Sequence, residues 1–203
     1  MNPSGQIAVD WESAHEFLAQ AADSRRSGRT GVVVAITGPV GAGKSTLARR
    51  LGGTIVSTDR YLPDYDRIPR EQWDHPDHAD LELLAEHLLD LRSGRAARVP
   101  EWSFRTHRRE GYVEVPAAPL IICEGIHALH TRVRLLVDLA VYVDAPQGIR
   151  WDRCEARERA GERGWGVEAA REFFHQVAEP SFAARSGEYR AAADVLVVNG
   201  GSR

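Results

Sequence analysis

The chain has 203 residues, 43% of them hydrophobic and 27% charged, with a formal net charge of -3. That length fits one domain around one core, and the balance excludes disorder, a collagen-like repeat and a general electrostatic pull toward nucleic acid or anionic membrane. No apolar run approaches the roughly 20 residues that span a bilayer, and two cysteines, Cys123 and Cys154, make no disulfide framework.

In chain order, Met1–Asp10 lacks the basic stretch and apolar core of a secretory leader, so the reducing cytoplasm is the expected compartment. Asp10–Arg26 reads as an amphipathic helix. Trp11, Ala14, Leu18 and Ala21 or Ala22 recur at helical spacing, with Asp10 as N-cap. Residues 1–29 are thus read as a helix and linker ahead of a domain over 30–203, within a single domain overall. Val32–Thr37 is a continuous apolar, β-branched run, the pattern of a strand buried on both faces. Ser45–Leu51 reads as helix, stopped by Gly52-Gly53, and Thr54–Thr58 as a short strand. Arg60–Pro76 is polar and proline-containing, so it reads as loop. Leu81, Leu84, Ala85, Leu88 and Leu91 define a helix that Ser93-Gly94 ends. Arg98–Phe104 and Tyr112–Val115 read as two arms of a hairpin around a basic tip. Leu120–Cys123 and Leu139–Val143 are further buried strands, Ile149–Arg163 and Val167–Ala178 helices, and Val195–Val198 the last strand. Short apolar strands alternating with helices predict an α/β fold, a parallel sheet covered by helices on both faces.

Gly38-Pro39-Val40-Gly41-Ala42-Gly43-Lys44-Ser45 matches the full G-x-x-x-x-G-K-[ST] pattern, with a strand before it and a helix after it. Its glycines let backbone wrap around phosphate oxygens, and its amides and the helix N-terminus supply positive potential. Gly38, Gly41, Ala42, Gly43, Lys44, Ser45 and Thr46 are therefore assigned to ATP. Lys44 would reach the β- and γ-phosphates, and the Ser45 hydroxyl would ligate Mg²⁺. Composition sharpens this: of 26 basic residues, 25 are arginine and the one lysine is Lys44. A compact ammonium on a flexible stem differs from a guanidinium at a phosphate site. Lys44 is expected to face the surface and carry little packing.

The absence of a second lysine excludes an Asn-Lys-x-Asp guanine motif, and no Ser-Gly-Gly signature occurs. A small kinase instead needs a carboxylate near the end of another strand, to orient an acceptor hydroxyl and take its proton. Asp59, after Ile55-Val56-Ser57-Thr58, fits. Glu124 directly follows Leu120-Ile121-Ile122-Cys123, at the ligand-binding edge of such a sheet, where it can hold Mg²⁺. The plainer readings are a turn or cap residue for Asp59 and a structural salt bridge for Glu124.

Further segments resemble the uridine kinase family, related to phosphoribulokinase and pantothenate kinase. Trp73-Asp74-His75-Pro76-Asp77 resembles its Phe-Asp-His-Pro-Asp box. Pro100–Arg109 resembles its Pro-x-Tyr-Asp-Phe-x-x-His-Ser-Arg segment, with Trp102 for the Tyr and Ser103 for the Asp. Ile122-Cys123-Glu124-Gly125-Ile126 resembles its Glu-Gly-Ile box. Arg150, Arg153, Arg157 and Glu162-Arg163-Gly164 resemble its arginine-bearing lid, and Ala193-Asp194-Val195 the opening of its last strand. The order is colinear from about Val32 to Asn199.

The resemblance implies a P-loop kinase fold with a small hairpin over the acceptor site. It implies Mg·ATP-dependent transfer to a small-molecule hydroxyl, the 5′-hydroxyl of uridine or cytidine first among them. Asp59 would be the base, and Asp74 would accept hydrogen bonds from ribose hydroxyls. His107 would meet the pyrimidine edge, with Trp102 and Phe104 walling the base. Trp73 belongs to the same site. Tyr61, in Asp59-Arg60-Tyr61-Leu62 where the family has Asp-Ser-Phe-Tyr, is also assigned to the acceptor. Arg150, Arg153 and Arg157 would approach the transferring phosphoryl, where planar guanidinium groups suit spread charge. The plainer readings are a solvated tip for His107, a solvated helix face for the three arginines, and core packing for Trp73 and Trp102. A related kinase for nicotinamide riboside, a sugar phosphate or pantothenate, or a nucleotide-binding module without transfer, stays as the alternative. The expected partners are a nucleotide and a small acceptor, with no nucleic acid and no membrane. Homo-oligomerisation is left open.

Overall fold

The computed structural model describes residues 5–201. Six strands form one sheet: β1 (Ile7–Asp10), β2 (Val32–Thr37), β3 (Thr54–Ser57), β6 (Leu120–Glu124), β7 (Leu139–Asp144) and β8 (Val195–Val198). Their order is β1-β8-β7-β2-β6-β3, and every pairing is parallel. β4 (Ala97–Ser103) and β5 (Arg108–Val115) make a separate antiparallel ribbon with a bulge at Glu101/Trp102. The helices are α1 (Ala14–Ser24), α2 (Lys44–Leu51), α3 (Leu81–Arg92), α4 (Thr131–Arg134), α5 (Gln147–Arg159), α6 (Val167–Phe173) and α7 (Glu179–Ala192). No helix among the described residues is long and apolar enough to cross a membrane.

Alternation along β2 explains its unbroken apolar run. Val32, Val34 and Ile36 pack with Ala14 and Leu18 of α1 and Leu47 of α2. Val33 and Ala35 pack on the other face with Leu84 and Leu88 of α3 and Phe182 of α7. Both faces are covered, so no position on the strand can be polar without cost.

Three expectations change. Asp10 ends a strand rather than capping α1: β1 pairs with β8 from Ile7↔Val195 to Asp10↔Val198, and the Asp10 carboxylate accepts from Ser13 N at 2.9 Å and Ser13 Oγ at 2.7 Å. The second hairpin arm begins at Arg108, because a two-stranded ribbon leaves its charged residues in solvent. Helix α5 stops at Arg159 rather than Arg163, ahead of three glycines with positive φ. Beyond α6 a wide π-turn, Phe174–Ala178, runs into α7, which carries Pro180 in its first turn. A proline removes an amide from the helical ladder, and the wide π-turn directly before it is where that ladder changes its spacing.

The register gathers strand ends at one edge. Glu124 lies opposite Ile36 of β2 and opposite Ser57 of β3. Gly125 makes this closeness sterically admissible. Its φ is +140°, and a Cβ there would lie 1.9 Å from Thr58 Oγ1. Gly125→Ala is therefore expected to push Thr58, and with it Asp59, out of place. A thermal melt alongside a phosphoryl-transfer assay should show lower stability and a rate loss of tenfold or more, given the sensitivity of catalysis to about 1 Å of displacement.

Candidate active site

A cavity of about 520 Å³ opens at that edge. The loop after β2 forms one wall, and Gly38 fits there only without a side chain, since a Cβ would lie 2.3 Å from Val143 O. Outward carbonyls of the loop are tied down by neighbours. Asn199 Nδ2 donates to Ala42 O at 2.7 Å, Arg153 donates to Gly41 O at 3.2 Å, and Arg150 donates to Val40 O at 3.3 Å. Lys44 starts α2 and donates to Gly38 O at 2.8 Å and Pro39 O at 2.9 Å. It is only 9% exposed, not surface-facing as expected, because those carbonyls hold the ammonium against the loop. Burial pulls its pKa down, while Glu124 and Asp59 oppose that shift.

Ser45 Oγ donates to Glu124 Oε2 at 3.0 Å, so a hydroxyl and a carboxylate face the cavity together. Asp59 joins them from a tight turn, Thr58–Tyr61, that follows β3 and takes its start from Ser57 Oγ. Burial first, then the negative charge of Glu124, push Asp59 up to about 6. Deeper on the acceptor side, Asp74 is buried and accepts from Tyr65 Oη at 3.2 Å. Burial, then Asp59, push it too up to about 6.

Next to Asp74 lies an aromatic cluster, none of whose rings lines the cavity. Tyr65 and Trp73 stack with centroids 4.3 Å apart, and Trp102 meets Tyr65 edge-on at 5.0 Å. Phe104 meets Trp102 edge-on at 5.1 Å. His107, at the hairpin tip with φ 56°, lies parallel to Tyr65 at 5.6 Å. Its Nε2 is buried without a hydrogen-bond partner among the described residues, and burial lowers its pKa, favouring neutral imidazole.

The sequence pattern of the phosphoribulokinase / uridine kinase family matches residues 64–200. The uridine kinase of Clostridium novyi (strain NT) is 32% identical over 184 residues, covering 84% of this chain and 88% of its own. The chain belongs to this family. The uridine kinase of Aliivibrio fischeri (strain MJ11) is 31% identical, over 88% of this chain and 91% of that one. Among solved structures, a Silicibacter sp. TM1040 protein described as a fructose transport system kinase superposes with a TM-score of 0.66 at 21% identity, covering 90% of this chain and 98% of its own. A Bacillus stearothermophilus protein described as a uridine kinase gives 0.59 at 18%, covering 92% and 98%. At such identities these two speak to the fold alone, which is the P-loop kinase fold. Family membership makes the chain an ATP-dependent small-molecule kinase.

In this kinase, Lys44, Ser45, Thr46, Gly41, Gly43, Asp59, Glu124, Arg153 and Arg157 line one cavity. Gly38 and Ala42 lie behind it and offer carbonyls to Lys44 and Asn199. Trp73, Trp102 and Phe104 form a small aromatic cluster with Leu62 and Tyr65, apart from the two main cores. Two assignments need correction. Tyr61 is fully buried in the main core, with its hydroxyl 2.8 Å from His87 Nδ1, because the turn after β3 rotates it inward. It cannot touch an acceptor. Arg150 is buried and does not line the cavity. Its Nη2 donates to Glu179 Oε2 at 2.7 Å and its Nη1 pairs with Glu179 Oε1, so it clamps α7 to the loop. Arg163, part of the stretch that resembles the lid but not among the residues assigned to the phosphoryl, lines the cavity and sits 4.7 Å over the Phe104 ring. Its place at the end of a glycine-flanked stretch was the available signal.

The arginines should separate experimentally. Arg150→Ala strands Glu179, and breaking a buried pair costs about 3–5 kcal/mol, so its effect should be a large drop in Tm. Arg157→Ala should leave Tm within a degree or two and lower phosphoryl transfer by about tenfold or more. Parallel melts and initial rates on the two variants check both.

Proposed function

We propose that this kinase transfers the γ-phosphoryl of Mg·ATP to the 5′-hydroxyl of a pyrimidine nucleoside, uridine or cytidine. The observation that carries the reading is Asp59, a buried carboxylate that lines the cavity together with the phosphate loop and Glu124. The names of the curated relatives support the same acceptor.

In this mechanism Lys44, Arg153 and Arg157 hold the donor phosphates, and Asp74 accepts hydrogen bonds from ribose hydroxyls. The rings wall the base, and the orphaned His107 Nε2 meets its polar edge. Asp59 accepts a hydrogen bond from the 5′-hydroxyl. As the new O–P bond forms, the bond from the γ-phosphorus to the bridging oxygen breaks. The proton passes to Asp59, and the negative charge left on the donor is met by the cationic side chains. The hydroxyl and carboxylate of Ser45 and Glu124, 3.0 Å apart, suit a hard divalent cation. Mg²⁺ held there would neutralise phosphate charge.

Asp59→Asn should lower kcat by about 10²- to 10⁴-fold with ATP affinity nearly unchanged. The pH profile follows from the raised carboxylates. Protonation removes the basic site from Asp59 and the negative charge that strengthens acceptance at Asp74, so kcat/KM should rise with pH through about 6 and level off above it. Because Asp59 and Asp74 interact, that apparent value belongs to the pair. A raised carboxylate pKa contributes stability below the unfolded value and loses it as pH rises through the folded one. Asp59→Asn should therefore melt higher than the parent near pH 8, and the gain should vanish near about pH 4. A flat rate profile from pH 5 to 8, or a transfer rate within about tenfold of the parent, would remove Asp59 from the base role.

Asp74→Asn should raise KM for the nucleoside by about tenfold or more, since a hydrogen bond to a charged group is worth about 1.5–3 kcal/mol, while KM for ATP holds. A radiolabel screen of nucleosides and other hydroxylated metabolites tests the acceptor itself. Equal use of ribo- and 2′-deoxyribonucleosides by the parent would exclude the ribose role of Asp74.

A further inference from the structure

The loop between α5 and α6 carries Gly161, Gly164 and Gly166, at φ +78°, +78° and +81°, with nothing within 4 Å of where their Cβ atoms would stand. Such backbone turns in open space and has little to resist a pivot. It is tied back to α5 near its two ends: the Gly161 and Glu162 amides donate to Glu158 O at 2.9 Å and Arg157 O at 3.1 Å, and the Gly166 amide donates to Glu158 Oε1 at 2.6 Å.

Trp165 hangs between the last two glycines and reaches across to the acceptor wall. Its ring lies 4.8 Å from His107, 4.8 Å edge-on from Phe173 and 6.2 Å from Trp73. The other two tryptophans of this wall are pinned by their indole N–H groups. Trp73 Nε1 donates to Tyr65 O at 3.0 Å, and Trp102 Nε1 donates to Pro63 O at 3.1 Å. Trp165 makes no such bond among the described residues and is held by packing, through its ring contacts and the Phe173, Val177 and Ala178 cluster. It also stands beside His107, whose Nε2 lacks a partner. The same loop places Arg163 in the phosphate cavity.

We infer that Trp165 is a specificity-determining residue: the movable face of the acceptor pocket, on which a planar base stacks opposite the fixed rings. This rests on the nucleoside reading above. A fixed wall selects by shape, whereas a ring free to settle on the base rewards planarity. Stacking of a base on an aromatic side chain is worth about 1–3 kcal/mol by alanine substitution, a factor of about 5 to 150.

The test compares uridine with 5,6-dihydrouridine, whose saturated ring is puckered but keeps the ribose and the polar edge. Ratios of kcat/KM for the two acceptors, and KM for ATP, are measured for the parent, Trp165→Ala and Trp165→Phe. The parent should favour uridine. Trp165→Ala should cut that preference by about fivefold or more and raise KM for uridine, with KM for ATP unchanged. Trp165→Phe should restore most of the preference, which a merely structural role would not do. An alanine variant with an unchanged ratio overturns the assignment. So does a matched rise in KM for ATP and uridine at constant ratio, which would mark Trp165 as a prop for Arg163. A parent that phosphorylates no nucleoside overturns the acceptor reading and this inference together, and is told apart by the parent assay alone.

Discussion

The parallel pairing of β6 with β2 and β3 is the constraint on which the site depends. It sets Glu124 beside the strand that feeds the phosphate loop and beside the strand that leads to Asp59. The pairing is close enough that Gly125 cannot carry a side chain. Three carboxylates, Asp59, Glu124 and Asp74, then share a buried region with Lys44. Burial and the nearby negative charges work against the ionised forms of Asp59 and Asp74, whose values are raised. A protein selected only for stability would fill such a region with apolar groups. Here the strain is retained where an acceptor hydroxyl and a charged donor are to be held.

The phosphate loop shows how that strain is contained. Its carbonyls are engaged at successive residues: Gly38 and Pro39 by Lys44, Val40 by Arg150, Gly41 by Arg153, and Ala42 by Asn199. A loop whose carbonyls are engaged keeps its amides available for an anion, and it does so without reorganising when the ligand arrives. Arg150 therefore serves phosphate binding at one remove. Its pair with Glu179 fastens α7 to the loop, and Ser181 of α7 in turn donates to the Asp74 carbonyl at 3.0 Å. Donor loop and acceptor carboxylate hang from one helix.

What could be read from sequence follows from how local each signal is. The phosphate loop is contiguous, and Asp59 and Glu124 stand at the ends of apolar runs, so position alone nominates them. Arg150, Arg153 and Arg157 look alike along one helix, and only Glu179, far along the chain, separates the first from the others. Tyr61 illustrates the same limit at short range: two residues after Asp59, its direction depends on a tight turn and on His87 waiting in α3. Strand β1 was missed because four residues carry little pattern and its partner, β8, lies at the other end of the sequence. Composition fixed which residues were available, and tertiary pairing decided which of them line the cavity.

The α5–α6 loop brings these threads together. Residues two apart on it face different parts of the structure: Arg163 lines the cavity beside the phosphate loop, and Trp165 meets the ring of His107. Arg163 also lies over Phe104, so the cation that faces the donor rests on a ring of the acceptor wall. A kinase must transfer to its acceptor and not to water, and binding energy from the acceptor can enforce that when it completes the donor site. The loop is held by a few amide bonds to α5 and by side-chain packing, so it is fixed less firmly than the sheet it flanks. Arg163 and Trp165 therefore share one short, glycine-hinged segment while their side chains meet different neighbours, the cavity for one and the ring of His107 for the other.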